Sequence, residues 1–415
     1  MERLAIHGGT PVRTQPFPHW PVWGKEEEQA LLEVLHSGRW GIGGDKVAEF
    51  EAAFARFQDA RYGVCVTNGT AALEIALRAA GVGPGDEVII PPYTFVATAT
   101  ACLALGALPV FADIDAETYN LSPDAAEAQI TERTKAIIAV HIGGCPADLD
   151  ALSALARRHG LTLIEDAAQA HAASWRGRRV GAIGDMGTFS FQSSKNLNAG
   201  EGGIILTDNA KLAERCWSIH NVGRVRQGAW YQHEIWGGNY RMSQWQAAIL
   251  LAQMTRLEEQ SARREENARY LSAEMTKLGL RPLARDPRVT QHAWHLFIFR
   301  YDARLARGAR REAFIEAMRA EGIPCALGYV PLYATNAVRR GTEENLRWAG
   351  RDPSEIERLH RPCPVAERAC YEEAVWLGQN VLLGTRADMD SIVEAAAKVL
   401  RLLEPETSER VSKKS

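Results

Sequence analysis

Lys195 stands at the end of Gly187-Thr188-Phe189-Ser190-Phe191-Gln192-Ser193-Ser194-Lys195, just before the turn-forming Asn196-Leu197-Asn198-Ala199-Gly200-Glu201-Gly202-Gly203. An ammonium between a buried strand and a tight turn is open to a lowered pKa, which would make the free amine a Schiff-base former. A lone lysine otherwise reads as an exposed side chain. Asp166 closes the apolar run Leu161-Thr162-Leu163-Ile164-Glu165-Asp166. Ligands of open α/β sheets bind at the carboxyl ends of strands. A carboxylate buried there needs a cation or strong donors; a helix N-cap is the other reading. Thr67-Asn68-Gly69-Thr70 follows a third apolar run and opens a helical pattern. That places free N–H groups, the positive helix end and a hydroxyl at one point, which suits an anion. A plain strand-to-helix turn with Thr70 as N-cap fits the same residues.

The elements that must position these groups are legible as alternating short apolar runs and helical patterns between about 60 and 210. Strands are predicted at Gly63–Thr67, Glu87–Pro91, Leu108–Ala112, Ala136–His141, Leu161–Glu165, Met186–Phe191 and Gly203–Thr207. One intervening helix is Thr70–Ala80, with Leu73, Ala76, Leu77 and Ala80 on one face. Strands alternating with helices predict an α/β domain with a mostly parallel seven-stranded sheet. Helices are also expected at Lys25–Ser37, Ser243–Leu278, Arg311–Glu321 and Met389–Leu403, and strands at His295–Tyr301 and Ile323–Tyr329. The expected organisation is an irregular lead-in over 1–25, a large domain over 26–255, a smaller α+β domain over 256–405 and a flexible tail over 406–415.

Composition narrows the function classes. The 415 residues carry 48 basic and 51 acidic side chains, so no basic footprint for nucleic acid is present. Seven cysteines without a C-x-x-C pair suggest neither a zinc knuckle nor a disulfide framework, and fit reduced thiols in the cytoplasm. The N-terminus lacks the apolar core of a signal peptide, and the apolar stretch Phe95–Ala112 splits into a helix and a strand, so no membrane span is expected. Gly81-Val82-Gly83-Pro84-Gly85-Asp86 precedes a strand, whereas a dinucleotide fingerprint must follow one. His292 and His295 form H-x-x-H with no third ligand nearby, so no metal is expected. His141 and Arg224 are candidates for substrate contact, and His171 for packing.

An anion turn, a strand-end aspartate and a lysine after a strand are together the parts needed to hold pyridoxal 5'-phosphate (PLP). The turn would take the phosphate, Asp166 would keep the ring nitrogen protonated, and Lys195 would carry the Schiff base. Tyr93, in Pro91-Pro92-Tyr93-Thr94-Phe95, is placed to cover the ring.

With these pieces go Val-His-Ile-Gly-Gly at 140–144, Glu-Asp-Ala-Ala-Gln-Ala-His at 165–171, Gly-Glu-Gly-Gly at 200–203, Asn239-Tyr240-Arg241-Met242-Ser243 and Cys363-Pro364-Val365-Ala366-Glu367. In that order, over about residues 20–405, the chain resembles the DegT/DnrJ/EryC1/StrS family of sugar and cyclitol aminotransferases, among the fold-type I PLP enzymes. Tyr119-Asn120-Leu121 and Ala172–Gly181 resemble the branch of glutamine:scyllo-inosose aminotransferases and 3-amino-5-hydroxybenzoate synthases. Asn198, where many members have Thr, and Ala172, often Gly, depart from the pattern.

The resemblance implies transfer of an amino group from glutamine or glutamate to a keto-sugar or keto-cyclitol, with Lys195 as general base and acid. The alternatives it carries are aromatising dehydration, sugar dehydration and a non-catalytic regulator. Lys195 stands where the sugar 3-dehydratases have His, and no helix-turn-helix extension is visible. It further implies that Gly69, Thr70 and Ser190 hold the phosphate, that Gln169 lies beside the ring and its phenolic oxygen, and that Tyr93 stacks on the ring. Asn239 would reach the cofactor phosphate of a neighbouring subunit, making the protein a homodimer.

Overall fold

β-Strands buried on both faces need continuous apolar runs, and the seven runs of the first half of the chain meet that need. A computed structural model describes residues 2–405; the expected tail over 406–415 lies outside the described residues. The strands are β1 Tyr62–Val66, β2 Glu87–Ile90, β3 Leu108–Phe111, β4 Thr134–Val140, β5 Thr162–Asp166, β6 Met186–Ser190 and β7 Gly203–Thr207. They form one sheet in the order β1-β7-β6-β5-β4-β2-β3. Only β7 runs antiparallel to its neighbours, β1 and β6. The period-2 alternation sorts side chains to two cores: Ile137, Ala139 and Leu163 face one, Ile138, Val140 and Ile164 the other.

Helices cover both faces. α1 spans Lys25–Ser37 and α2 spans Lys46–Phe57, which the sequence reading did not identify; α2 places Phe50 and Phe54 against Phe191. α3, Gly69–Ala79, buries Leu73, Ala76 and Leu77. Its cap is Asn68, whose side chain accepts from the Ala71 N–H at 2.8 Å, so Thr70 is not the N-cap. α4, Ala97–Ala104, and β3 divide the apolar stretch as expected.

α5, Gln244–Lys277, runs for 34 residues from the large sheet to a second one. That sheet is antiparallel: β8 Arg281–Pro282, β9 Leu296–Arg300 and β10 Ala374–Gly378. Its core joins Phe297, Phe299 and Leu377 to Phe314 of α6, Arg311–Ala320, and to Ile392 of a closing helix. Leu4 of the lead-in belongs to the same core. α7, Asn336–Trp348, returns to the large sheet through Val338 and Leu346. α8, Arg386–Leu402, closes the chain.

The expected strand Ile323–Tyr329 is not formed: a single bridge joins Ala326 to Trp376. Pro324 has no N–H to give a ladder, and Gly328 sits at φ +91°, outside extended geometry. Among the described residues no helix is long and apolar enough to cross a membrane.

Candidate functional site

The carboxyl ends of β1, β5 and β6 open on one cavity of about 1050 Å³. Register explains the convergence. Gly203 at the start of β7 pairs with Val66 on one side and Ser190 on the other. The turn after Val66 and the residues after Ser190 are thereby brought side by side. Gly203 must lack a side chain, because a Cβ there would lie 2.5 Å from the Asn68 carbonyl oxygen. The Gly-Glu-Gly-Gly motif thus packs against the Thr67–Thr70 turn.

Gly69 and Thr70 occupy the first turn of α3 and line the cavity. Among the described residues their backbone N–H groups have no protein acceptor. Ser190 faces them: a Cβ on Gly69 would lie 2.8 Å from the Ser190 Cβ and 3.3 Å from its Oγ. Two free amide donors at a helix N-terminus, two hydroxyls and a cradle that a methyl group would fill suit a phosphate.

Asp166 ends β5 opposite Val140 and Thr188. Thr98, on α4, donates to its Oδ2 at 2.9 Å, and the Ala168 N–H to Oδ1 at 3.3 Å. Burial pushes its pKa above the usual carboxylate range; Thr98, Ala168 and Lys195 only partly offset this. The carboxylate is oriented but short of a cation, and a protonated pyridine nitrogen would supply one. Lys195 lines the same cavity. Burial lowers its pKa to about 8 despite the opposing pull of Asp166. Its amine makes no side-chain hydrogen bond among the described residues, so it is free for covalent chemistry. These residues fit PLP.

Gln169 also lines the cavity. Its Oε1 accepts from the Gly143 N–H at 2.7 Å, so its Nε2 donates to the Tyr329 hydroxyl at 2.9 Å.

Two expectations are corrected. Tyr93 does not cover the cavity. It is fully buried, accepts from the Trp376 indole N–H at 2.8 Å and meets Tyr119 and Tyr329 edge-on. A buried tyrosine needs a partner for its hydroxyl. Phe95 needs none; it lines the cavity and is 58% exposed. His141 does not face substrate. It is fully buried; its Nδ1 accepts from the Ala147 N–H at 3.0 Å, so its Nε2 carries the proton and donates to Glu165 at 3.0 Å. Glu165 also accepts from the N–H groups of Gly181, Ile183 and Gly184. Arg224 does not line the cavity of its own chain; a backbone bridge pairs it with His233.

Asn239 lies near Arg224 in the chain; it is exposed and does not line the cavity of its own chain. His171 packs among Phe54, Phe189 and Phe191 with neither ring nitrogen paired, and burial drops its pKa to about 3. His292 stacks on Trp294 at 3.7 Å, and among the described residues no cluster of His, Cys, Asp and Glu could hold a metal.

Sequence reasoning missed several lining groups: Trp20, His295, Tyr329, Trp376 and Gln379. His295 gave a signal, but as half of a metal pair. The others come from distant segments with no motif around them.

The chain is similar to known proteins along most of its length. The model of the DegT/DnrJ/EryC1/StrS aminotransferase family matches residues 21–397. An L-glutamine:2-deoxy-scyllo-inosose aminotransferase of Streptoalloteichus tenebrarius is 41% identical over 414 residues, covering 96% of this chain and 97% of its own. A 3-amino-5-hydroxybenzoate synthase of Amycolatopsis mediterranei is 37% identical over 386 residues, covering 92% and 96%. The crystal structure of a 3-amino-5-hydroxybenzoic acid synthase superposes with a TM-score of 0.84 at 36% identity, covering 94% of this chain and all of that one. With its sheet, its lysine and its phosphate cradle in place, this chain belongs to the DegT/DnrJ/EryC1/StrS aminotransferase family and is a PLP-dependent enzyme.

Proposed function

We propose that this chain moves the amino group of L-glutamine or L-glutamate onto the ketone of a cyclitol or a sugar. The observation that carries the reading is the convergence of Lys195, Asp166 and the Gly69-Thr70-Ser190 cradle on one cavity. The cyclitol preference is supported by the 96% coverage shared with the scyllo-inosose aminotransferase.

When bound, PLP supplies the electron sink that makes the donor's Cα–H acidic. The residues do the rest. The N–H groups of Gly69 and Thr70 and the hydroxyls of Thr70 and Ser190 bind the phosphate. Asp166 holds the ring nitrogen protonated, with Thr98 fixing the carboxylate. Phe95 covers one side of the cavity and excludes water. Lys195 would take the proton from the donor's Cα and return it at C4' of the cofactor. An amine with a pKa of about 8 is poised for both directions near neutral pH.

The protein is further inferred to act as a homodimer. Trp230, Tyr231 and Trp236 are 79%, 76% and 72% exposed on the segment that bears Asn239. Exposed aromatic side chains on one segment support an interface, and Asn239 would extend from it towards a second copy's phosphate cradle. All seven cysteines are unpaired and buried, which supports a cytoplasmic setting.

The test is the absorbance of the holoenzyme on adding L-glutamine or L-glutamate, followed by 2-deoxy-scyllo-inosose. Loss of the visible PLP band with release of one equivalent of 2-oxo acid, then its return with an amino-cyclitol, is expected. A Lys195→Ala protein should show neither change. A second reading, aromatising synthesis of an aminobenzoate, is supported by the 37% identity to the 3-amino-5-hydroxybenzoate synthase. It predicts an aromatic product and no release of a 2-oxo acid.

A further inference from the structure

Arg264, on α5, is the largest fully buried side chain of the described residues. Its Nε and Nη2 both donate to Oε1 of Gln379, at 3.0 and 2.5 Å. Its Nη1 is buried with no acceptor, and the guanidinium lies 5.3 Å from the Trp20 ring centroid. No carboxylate among the described residues pairs with it. Burial lowers its pKa to about 9 with no acid offsetting the shift, so the group stays charged at neutral pH. A buried cation without a counter-charge is costly and uncommon, and points to an anion that arrives later.

The guanidinium has donors only, so it fixes which end of the Gln379 amide it meets. Oε1 is taken, and Nε2 has no partner among the described residues. Gln379 lines the cavity, beside Trp20 and Lys195. The wall therefore presents an N–H donor with an unscreened positive charge behind it. The rest of the lining is acidic: Asp166, Glu74 and Glu201 against the single cation Lys195. Of the two substrates of the proposed reaction, only the amino donor carries a carboxylate. It enters a cavity that already holds a phosphate and three acids, and needs a positive place to rest.

We infer that the Gln379 amide, oriented and polarised by Arg264, is the subsite for the α-carboxylate of the amino donor. The inference rests on the aminotransferase reading. Arg264 acts through Gln379 and is a positioning residue.

The experiment follows the donor half-reaction of the holoenzyme by loss of the PLP band at increasing L-glutamine. The acceptor half-reaction is run separately with 2-deoxy-scyllo-inosose on enzyme already carrying the amino group. Gln379→Glu pairs internally with Arg264 and turns the donor N–H into an anion. It should raise the half-saturating L-glutamine concentration by about 10–100-fold, the range for a lost hydrogen bond to a charged group. Acceptor saturation should stay unchanged. Arg264→Met should move the same parameter in the same direction while the protein melts no lower than wild type. The α-amide of L-glutamine, which lacks the carboxylate, should saturate wild type and Gln379→Glu alike. Unchanged L-glutamine saturation in Gln379→Glu overturns the assignment. So does an equal loss for donor and acceptor, which marks a merely structural role. If wild type itself shows no donor half-reaction, the aminotransferase reading fails first and this subsite with it.

Discussion

Replacing Gly69 by alanine tests the phosphate cradle with a single methyl group. The backbone there is not left-handed, so alanine is free to adopt it. The new Cβ would lie 2.8 Å from the Ser190 Cβ and 3.3 Å from its Oγ, and one of the two residues must shift. Overpacking of this kind costs ~1–3 kcal/mol. Alanine in place of glycine in the first helical turn returns at most ~1 kcal/mol. The unliganded protein should thus lose between about 0 and 3 kcal/mol, and remain folded. The cofactor loses more. A displaced Ser190 or a filled cradle removes at least one hydrogen bond to a charged phosphate, worth ~1.5–3 kcal/mol or about 10–150-fold in Kd. Pyridoxamine 5'-phosphate is the right ligand, because its amine cannot condense with Lys195 and covalent capture cannot mask the effect. Its Kd is read from quenching of tryptophan emission in the apo protein. Ser190→Gly removes the atom that the methyl presses on, so in the double variant the Gly69→Ala penalty should largely vanish. A Gly69→Ala protein with wild-type Kd and wild-type melting temperature would refute the docking of phosphate at this turn.

Three further outcomes follow from the same geometry. Lys195 has a pKa of about 8 in the folded protein against 10.5 in the unfolded chain, so the unfolded state binds more protons between those values. Apo stability should rise with pH across that window relative to Lys195→Met, and a flat difference in urea midpoints from pH 7 to 11 would contradict the burial of the amine. His141→Ala leaves the buried Glu165 without one of its donors; urea denaturation should show a loss of ~1–3 kcal/mol with acceptor saturation unmoved, whereas a changed acceptor KM at wild-type stability would restore His141 to the substrate site. Tyr93→Phe strips the Trp376 N–H of its acceptor and should cost ~1 kcal/mol without changing the Kd for pyridoxamine phosphate, while Phe95→Ala should weaken that Kd; the reverse pattern would return the ring-covering role to Tyr93.

Which residues could be read from the sequence depended on whether a strand end or a distant segment set their direction. Lys195, Asp166 and the Thr67–Thr70 turn follow strands whose ends the apolar runs marked to within a residue or two, and a parallel sheet brings such ends to one edge. The same rule placed His141 at a strand end, yet its ring turns to Glu165, which three backbone N–H groups also address. A satisfied buried hydrogen-bond network leaves no local trace that separates it from an open site. Tyr93 and Phe95 lie beyond β2, where alternation no longer fixes sides. Trp376, 283 residues away, decides between them by offering the tyrosine hydroxyl a partner. Gly328 shows the same dependence: at φ +91° it packs so closely on Trp376 that a Cβ would lie 2.8 Å from the indole, and the next residue, Tyr329, meets Gln169. The donor groups of this wall, Tyr329 and Gln379, owe their orientation to partners on other elements, Gln169 and Arg264. The chemistry common to PLP enzymes is therefore written locally, in motifs at strand ends. The groups that would select substrates are set by contacts between distant segments, and only the folded chain displays them.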